Sequence, residues 1–257
     1  MTTSTPAFGT LAWARANDGA LTFRERVREA AKGSLVVLRT APAQIRQRLG
    51  LPNPRAFTYD LDRLRIPDSA VAREAEDVCR EASSASLVNH CLRTYAWGMI
   101  LAERDGLRPD PEVFYVASLL HDLALTDRFR HYAAMPCFGA RAAILAGDWA
   151  RERGWPTERC TTLADAVCLH LNAVVPAAHG PEAQLLQAGA GLDVIGLRHW
   201  ELTPPTVDAV LARYPRLDMK RTGYPLFVAE AHPRTRTQLL TRWLMFGTLV
   251  RHSPFAD

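Results

Sequence analysis

The stretch FYVASLLHDLAL, residues 114–125, places two ionisable side chains inside an apolar run. Apolar residues flank His121 and Asp122 on both sides, as they do in the buried part of a helix. Burying an imidazole and a carboxylate is unfavourable unless both have partners. One metal ion can be the partner of both, because consecutive residues on a helix point about a quarter-turn apart. The stretch therefore predicts a buried helix whose end carries adjacent metal ligands.

Helix signals continue on both sides of this stretch. Asp110, Pro111 and Glu112 form an N-cap, a first-turn proline and a first-turn acid, which predict a helix over 113–123. Towards the N-terminus, Asp68 is predicted to cap one helix, and an apolar stripe predicts another over 86–104. Glycine and proline residues, which end helices, separate the remaining predicted helices. These cover 138–153, 158–171, 182–195, 206–214 and 234–250.

These elements predict an all-α protein, a compact, irregular helical bundle, because no alternating strand pattern of useful length is present. Residues 1–64 carry a short helix around 23–31 and a turn-rich segment. We expect them to form an N-terminal extension that packs on the main body. Residues 65–257 are predicted to form the domain that holds the motif.

A third isolated acid lies in AGAGLDVIG, residues 188–196, where Asp193 is the only charged group. It too needs a buried partner. His90, beside the apolar stripe of its helix, adds a second imidazole. Two imidazoles and two carboxylates form a mixed nitrogen and oxygen set, which predicts one divalent transition metal per chain. Zn²⁺ or Fe²⁺ is favoured, and Mn²⁺ or Co²⁺ also suits such ligands.

The composition bears on partners and compartment. The net charge of +4 comes from 31 basic and 27 acidic residues, and Lys32 and Lys220 are the two lysines. The arginines are spread along the helices, so we expect them on helix surfaces and expect no nucleic-acid partner. No apolar run is long enough to predict a membrane helix. Five cysteines without a C-x-x-C pair predict reduced core thiols in a cytoplasmic protein, and a homo-oligomer stays open.

The ligand order H…HD…D, formed by His90, His121, Asp122 and Asp193, resembles the defining motif of the HD superfamily. Other segments resemble the subgroup that includes cyanamide hydratases. Residues 89–95 match its N-H-x-x-R-x-Y segment, and Thr126 and Asp127 match the Thr-Asp pair that follows its metal dipeptide. Residues 166–170 and 189–193 resemble its A-x-x-L-H and G-x-G-x-D segments. The resemblance covers about 68–255 and implies a metal-dependent hydratase or hydrolase.

One segment departs from that subgroup. Its members commonly carry a Phe-Glu-rich stretch after the Thr-Asp pair, whereas the corresponding residues 135–139 around Cys137 contain no acid. This departure bears on the substrate and not on the metal site. Asp127 and His170 are the candidates for proton transfer at the site. His170 could instead support a ligand from behind or cap its helix, and Asp127 could be a local cap. Arg93 is a candidate supporting residue.

The predicted reaction is attack by a metal-activated water on a small-molecule substrate with a nitrile-like carbon. The sequence contains no glycine-rich or lysine-rich segment that would cradle phosphate. Two alternatives stay open. One is an HD phosphohydrolase that acts on nucleotides, and the other is a non-catalytic binding module that a metal stabilises.

Overall fold

Helices account for most of the computed structural model, which describes residues 5–51 and 53–256. In the described part of the chain, β-type pairing is limited to one isolated bridge between Phe57 and Leu202. The prediction of an all-α fold is confirmed. The α-helices are α1 (Leu11–Ala16), α2 (Phe23–Arg48), α3 (Ala70–Ala82), α4 (Ala85–Asp105), α5 (Pro111–Leu120), α6 (Phe138–Glu152), α7 (Thr157–Leu169), α8 (Gly180–Ile195), α9 (Pro204–Arg213), α10 (Met219–Ala229), α11 (Arg236–Gln238) and α12 (Phe246–Arg251).

The centre of the bundle is the crossing of α4 and α8. A Cβ atom on Gly189 of α8 would lie 2.4 Å from the carbonyl oxygen of Thr94 on α4, so only glycine allows this approach. Gly98 of α4 is similarly close to α5, because a Cβ atom there would lie 2.2 Å from the Cζ atom of Phe114. The tight crossing brings the C-terminal half of α8 against the N-terminal half of α4.

The ends of α5 follow its sequence signals at one end and depart from them at the other. Asp110 accepts hydrogen bonds from the backbone N–H groups of Glu112 and Val113, which confirms the predicted cap. The helix ends at Leu120 instead of 123, and a 3₁₀ turn follows over Leu123–Leu125. His121 and Asp122 therefore lie at the junction, where the chain changes direction.

Several predicted boundaries are corrected. The helix expected around 23–31 begins after a capping box of Thr22 and Glu25, passes through Pro42 and extends to Arg48. Ser69, not Asp68, caps α3, because the Ser69 hydroxyl accepts from Ala72 N while Asp68 pairs with Arg73.

The helix predicted over 234–250 is broken. A π-helical turn over Leu239–Trp243 follows α11, and Met245 then takes a left-handed conformation at φ 50° before α12 begins. Two helices, α1 and α10, were not predicted. Neither has a long apolar stripe, and α10 contains Pro225, a residue type that usually ends a helix.

The described part of the N-terminal segment packs on the main body. Buried Arg236 donates to Gly9 O at 3.2 Å, to Cys168 O at 2.7 Å and to Asn172 Oδ1 at 2.9 Å, so it ties the start of the chain to α7. The division at residue 64 stays a prediction. All five cysteines are buried free thiols, as expected. None of the described helices combines the length and apolar character needed to cross a membrane.

Candidate metal centre

Two imidazoles and one carboxylate converge where α4 meets the end of α5. His90 lies within α4, and His121 and Asp122 follow the last turn of α5. The Nε2 atoms of His90 and His121 are 3.3 Å apart, and Asp122 Oδ2 lies 3.4 Å from the first and 3.3 Å from the second. All three residues are buried. In the described part of the chain, they form a group that could hold a metal ion.

A third imidazole, His170, follows the last residue of α7. Its Nε2 atom lies 3.7 Å from Asp122 Oδ1, and its ring meets the His121 ring edge-on with centroids 5.0 Å apart. Burial and the neighbouring His121 lower the pKa of His170 to about 3, so the ring is neutral. His170 therefore presents a neutral nitrogen to Oδ1 of Asp122, while His90 and His121 lie nearer to Oδ2.

Each of the three rings has its Nδ1 atom occupied on the side away from this group. His121 and His170 donate from Nδ1 to the carbonyl oxygen three residues earlier, at 2.8 Å and 2.5 Å. His90 donates from Nδ1 to Asp193 Oδ2 at 2.8 Å. Because these oxygens only accept, Nδ1 carries the proton and Nε2 of each neutral ring presents a lone pair. Converging lone pairs beside a carboxylate fit a cation between them.

The charges of the group agree with that fit. Burial lowers the pKa of His90, but hydrogen bonds to Asp122 and Asp193 outweigh it and raise the pKa to about 9. Burial would raise the pKa of Asp122, yet His121 and His90 hold it well below its ordinary value. The Asp122 carboxylate and the readily protonated His90 ring thus lie together in one buried group. A divalent cation can replace the additional proton that His90 binds.

Asp193, the fourth predicted metal ligand, lies behind His90 and outside the group of residues that the structure brings together. Its Oδ1 accepts from Arg93 Nε at 2.6 Å and from Trp97 Nε1 at 3.1 Å. Its Oδ2 accepts from Arg93 Nη2 at 2.9 Å as well as from His90. Burial would raise the pKa of Asp193, but Arg93 and His90 hold it far below the ordinary range. The saturated carboxylate fixes the His90 ring instead of facing the group.

The residues that support Asp193 have a signal in the sequence, which is their helical spacing from His90. Arg93 and Trp97 follow His90 by three and seven residues, so all three share one face of α4. The resemblance pointed to Arg93, but nothing singled out Trp97. Arg216, after α9, donates to the backbone oxygen of Asp193 at 2.8 Å. The expectation that arginines lie on helix surfaces is wrong for a buried set: Arg93, Arg141, Arg216 and Arg236.

The structure does not bring Asp127 to the site. Its side chain is 95% exposed and pairs with Arg130 at 3.2 Å. The chain turns outward after the 3₁₀ turn over Leu123–Leu125, so only the first residue of the Thr-Asp pair, Thr126, is buried. The proposed proton-transfer role of Asp127 has no geometric support.

A pocket with a cavity volume of about 190 Å³ leads to the group. We call the buried end of this pocket the floor. It consists of four buried lining residues: His90, His121, Asp122 and His170. The wall consists of the lining residues within 33–44 and 219–252. It belongs to α2, α10, the π-helical turn and α12, and most of its side chains are apolar, including Val36, Val37, Phe227, Leu240, Leu244 and Phe246.

An all-helical fold with a buried imidazole and carboxylate group at the end of a pocket defines a candidate metalloprotein. Comparison with known proteins shows what the chain is similar to. The HD domain family model matches residues 87–189. Cyanamide hydratase DDI2 and cyanamide hydratase DDI3 of Saccharomyces cerevisiae are each 26% identical to this chain over 170 residues, which span 65% of the chain and 72% of each relative. Residues 87–189 thus match the HD domain, and the chain is similar to cyanamide hydratases. The part that matches the HD domain includes all four residues of the floor.

Proposed function

We propose that this protein is a metal-dependent hydratase or hydrolase of a small organic molecule, and that the favoured reaction is hydration of a nitrile-like carbon. The observation that carries the proposal is the convergence of imidazole nitrogens and the Asp122 carboxylate at the buried end of a pocket. The similarity to two proteins named cyanamide hydratases favours hydration over other reactions of water.

His90, His121 and Asp122 would hold the metal, and the nitrogen-rich set favours Zn²⁺ or Fe²⁺. When bound, such an ion supplies Lewis acidity that brings the pKa of water towards neutrality. We assign His170 to the same ion as a fourth ligand, not to proton transfer. Its pKa of about 3 suits a neutral ligand but makes a weak base at neutral pH.

The rest of the chain positions these groups. Asp193 holds the Nδ1–H of His90, so the Nε2 atom of that ring stays directed to the floor. The apolar wall limits the water that reaches the floor along with the substrate. In the reaction one water adds across the C≡N bond. A C–O bond forms, both water protons end on nitrogen, and the product is an amide, or urea when the substrate is cyanamide.

Hydrolysis of nucleotides has less support. The pocket lining includes the cations Arg216 and Lys220, but Arg216 donates to the backbone oxygen of Asp193 and Lys220 to that of Phe255. A triphosphate would need several cationic or backbone donors directed into the pocket. A non-catalytic, metal-stabilised module stays the third alternative, and it would have a metal closed off from small ligands.

The test is a product assay on metal-loaded protein. Cyanamide, benzonitrile and dATP are supplied in parallel, and urea, benzamide and phosphate are measured. We expect urea or benzamide and no phosphate, with activity lost in chelator-treated protein and in His121→Ala. Phosphate release that requires the metal would favour the nucleotide alternative. Full metal occupancy without any product would favour the binding module.

A further inference from the structure

We infer that the pocket selects an uncharged substrate with an apolar body about the size of a benzene ring, and that cyanamide alone does not fill it. This inference rests on the proposed function for the reaction at the floor. Its evidence comes from the residues of the wall, which would contact the part of the substrate that does not react.

The pocket is larger than cyanamide alone would fill. A dry protein cavity of roughly 150 Å³ lined by leucine, isoleucine and phenylalanine holds benzene. The volume of about 190 Å³ above the floor is somewhat larger. Cyanamide has a single carbon and two nitrogens, so most of this volume would contain water against apolar side chains. An apolar body on the substrate would replace that water favourably.

A row of aromatic rings joins the floor to the wall. The Phe138 ring lies 5.9 Å from the His170 ring and 5.6 Å from the Phe227 ring, measured between centroids. The Phe227 ring lies 4.9 Å from the ring of Phe246. Phe227 and Phe246 both line the pocket. An aromatic or branched aliphatic body that extends from the floor would therefore meet the rings of Phe227 and Phe246, with Phe138 packed behind the lining.

The charged lining residues argue for an uncharged body. Arg216 and Lys220 each donate to a backbone carbonyl oxygen, at 2.8 Å and 2.6 Å, and the Arg216 guanidinium lies 5.4 Å from the Phe255 ring centroid. Among the residues that line the pocket, the acidic one is Asp122, which belongs to the floor. A charged body would lose hydration without a dedicated partner in the wall.

The wall lies outside the part of the chain that the HD domain model matches. That match spans 87–189, whereas the wall comes from α2 before it and from 219–252 after it. Leu244 packs on Gly33, where an added Cβ would lie 2.5 Å from its Cδ1 atom, so the two wall segments close on each other. Part of the apolar lining is thus carried by segments that flank the shared domain, while Leu87, Leu125 and Leu171 line the pocket from within it.

The test is binding to metal-loaded protein, which does not depend on turnover. Toluene, benzonitrile and acetonitrile are added in turn, and the Tm of the protein is followed. We expect toluene and benzonitrile to raise the Tm more than acetonitrile does. In Val36→Trp, which fills the wall side of the pocket, the Kd for toluene should rise at least about tenfold. Val37→Trp provides a second wall variant in case the first folds poorly.

Val27→Trp is the matched control. Val27 lies on α2 like Val36, is 46% exposed and does not line the pocket, so its substitution should leave the Kd for toluene within about twofold. Aromatic binding that is weakened only in the wall variants, without hydration of any nitrile, supports the inference and overturns the proposed function. Urea formation from cyanamide, with no aromatic binding and no effect of Val36→Trp or Val37→Trp, overturns the inference and leaves the proposed function standing.

Discussion

The floor and the wall of the pocket are held in place by different forces. In the floor, each ring has a fixed hydrogen-bond partner, and Asp193 behind His90 accepts four hydrogen bonds from three side chains. In the wall, the contacts are apolar packing, such as Leu244 on Gly33 and Phe246 on Phe227. Directional bonds fix atoms to within tenths of an ångström, whereas apolar packing tolerates exchange of similar side chains. The chemistry should therefore be sensitive to single changes in the floor, and substrate preference should be adjustable in the wall.

The largest expected effect breaks the floor directly. Asp122→Ala removes the carboxylate that faces all three imidazoles, so metal content should fall to near zero and activity should fall by more than about 1,000-fold. Elemental analysis after dialysis and the product assay measure both. His131→Ala, at an exposed histidine, is the control and should keep its metal. Retained metal in Asp122→Ala would contradict the assignment of the floor.

The next effect concerns the layer behind the floor. Asp193→Ala leaves Arg93 buried without its carboxylate, which should lower the free energy of unfolding by about 3–5 kcal/mol. Metal affinity should also fall by roughly 10- to 100-fold, because the His90 ring loses its anchor. Urea unfolding of chelator-treated protein separates the two effects. If Asp193 were instead a ligand, the loss of stability would appear only in metal-loaded protein.

Proton competition gives a smaller, graded effect. Because the pKa of His90 is raised to about 9 in the absence of metal, a proton occupies this ring at neutral pH and must leave when metal binds. The apparent metal affinity should therefore rise with pH up to about 9, by at most about tenfold per pH unit for one proton. Competition with a calibrated chelator between pH 6 and 9 measures the slope. A flat profile would show that His90 binds metal without releasing a proton.

The smallest effect is expected at Asp127, outside both regions. Its exposed side chain makes one ion pair with Arg130, so Asp127→Asn should change the free energy of unfolding by less than about 0.5 kcal/mol. Activity should stay close to that of the unchanged protein. A large fall in kcat with unchanged metal content would restore the sequence-based proposal that Asp127 transfers protons.

The sequence predicted the parts of the molecule that depend on local chemistry. Apolar spacing and caps predicted the central helices, and the unfavourable burial of His121 and Asp122 in an apolar run indicated a metal site. His90 was also singled out, from its place beside an apolar stripe and from the resemblance, and His170 was singled out from the resemblance. The ends of helices were less well predicted, because Asp68 and Ser69 are both good caps and only tertiary contacts choose between them.

Only the tertiary structure decided which carboxylate faces the imidazoles of the floor. Asp122 and Asp193 are each an isolated acid among apolar residues, so their sequence context is the same in kind. The approach of α8 to α4 at Gly189 places Asp193 on the Nδ1 side of His90, where Arg93 and Trp97 reach it. The wall is likewise a product of the fold, because Gly33 of α2 and Leu244 are about 200 residues apart in sequence and meet through packing. Local patterns determine which groups must be buried with partners, while partner choice depends on distances that only the folded chain sets.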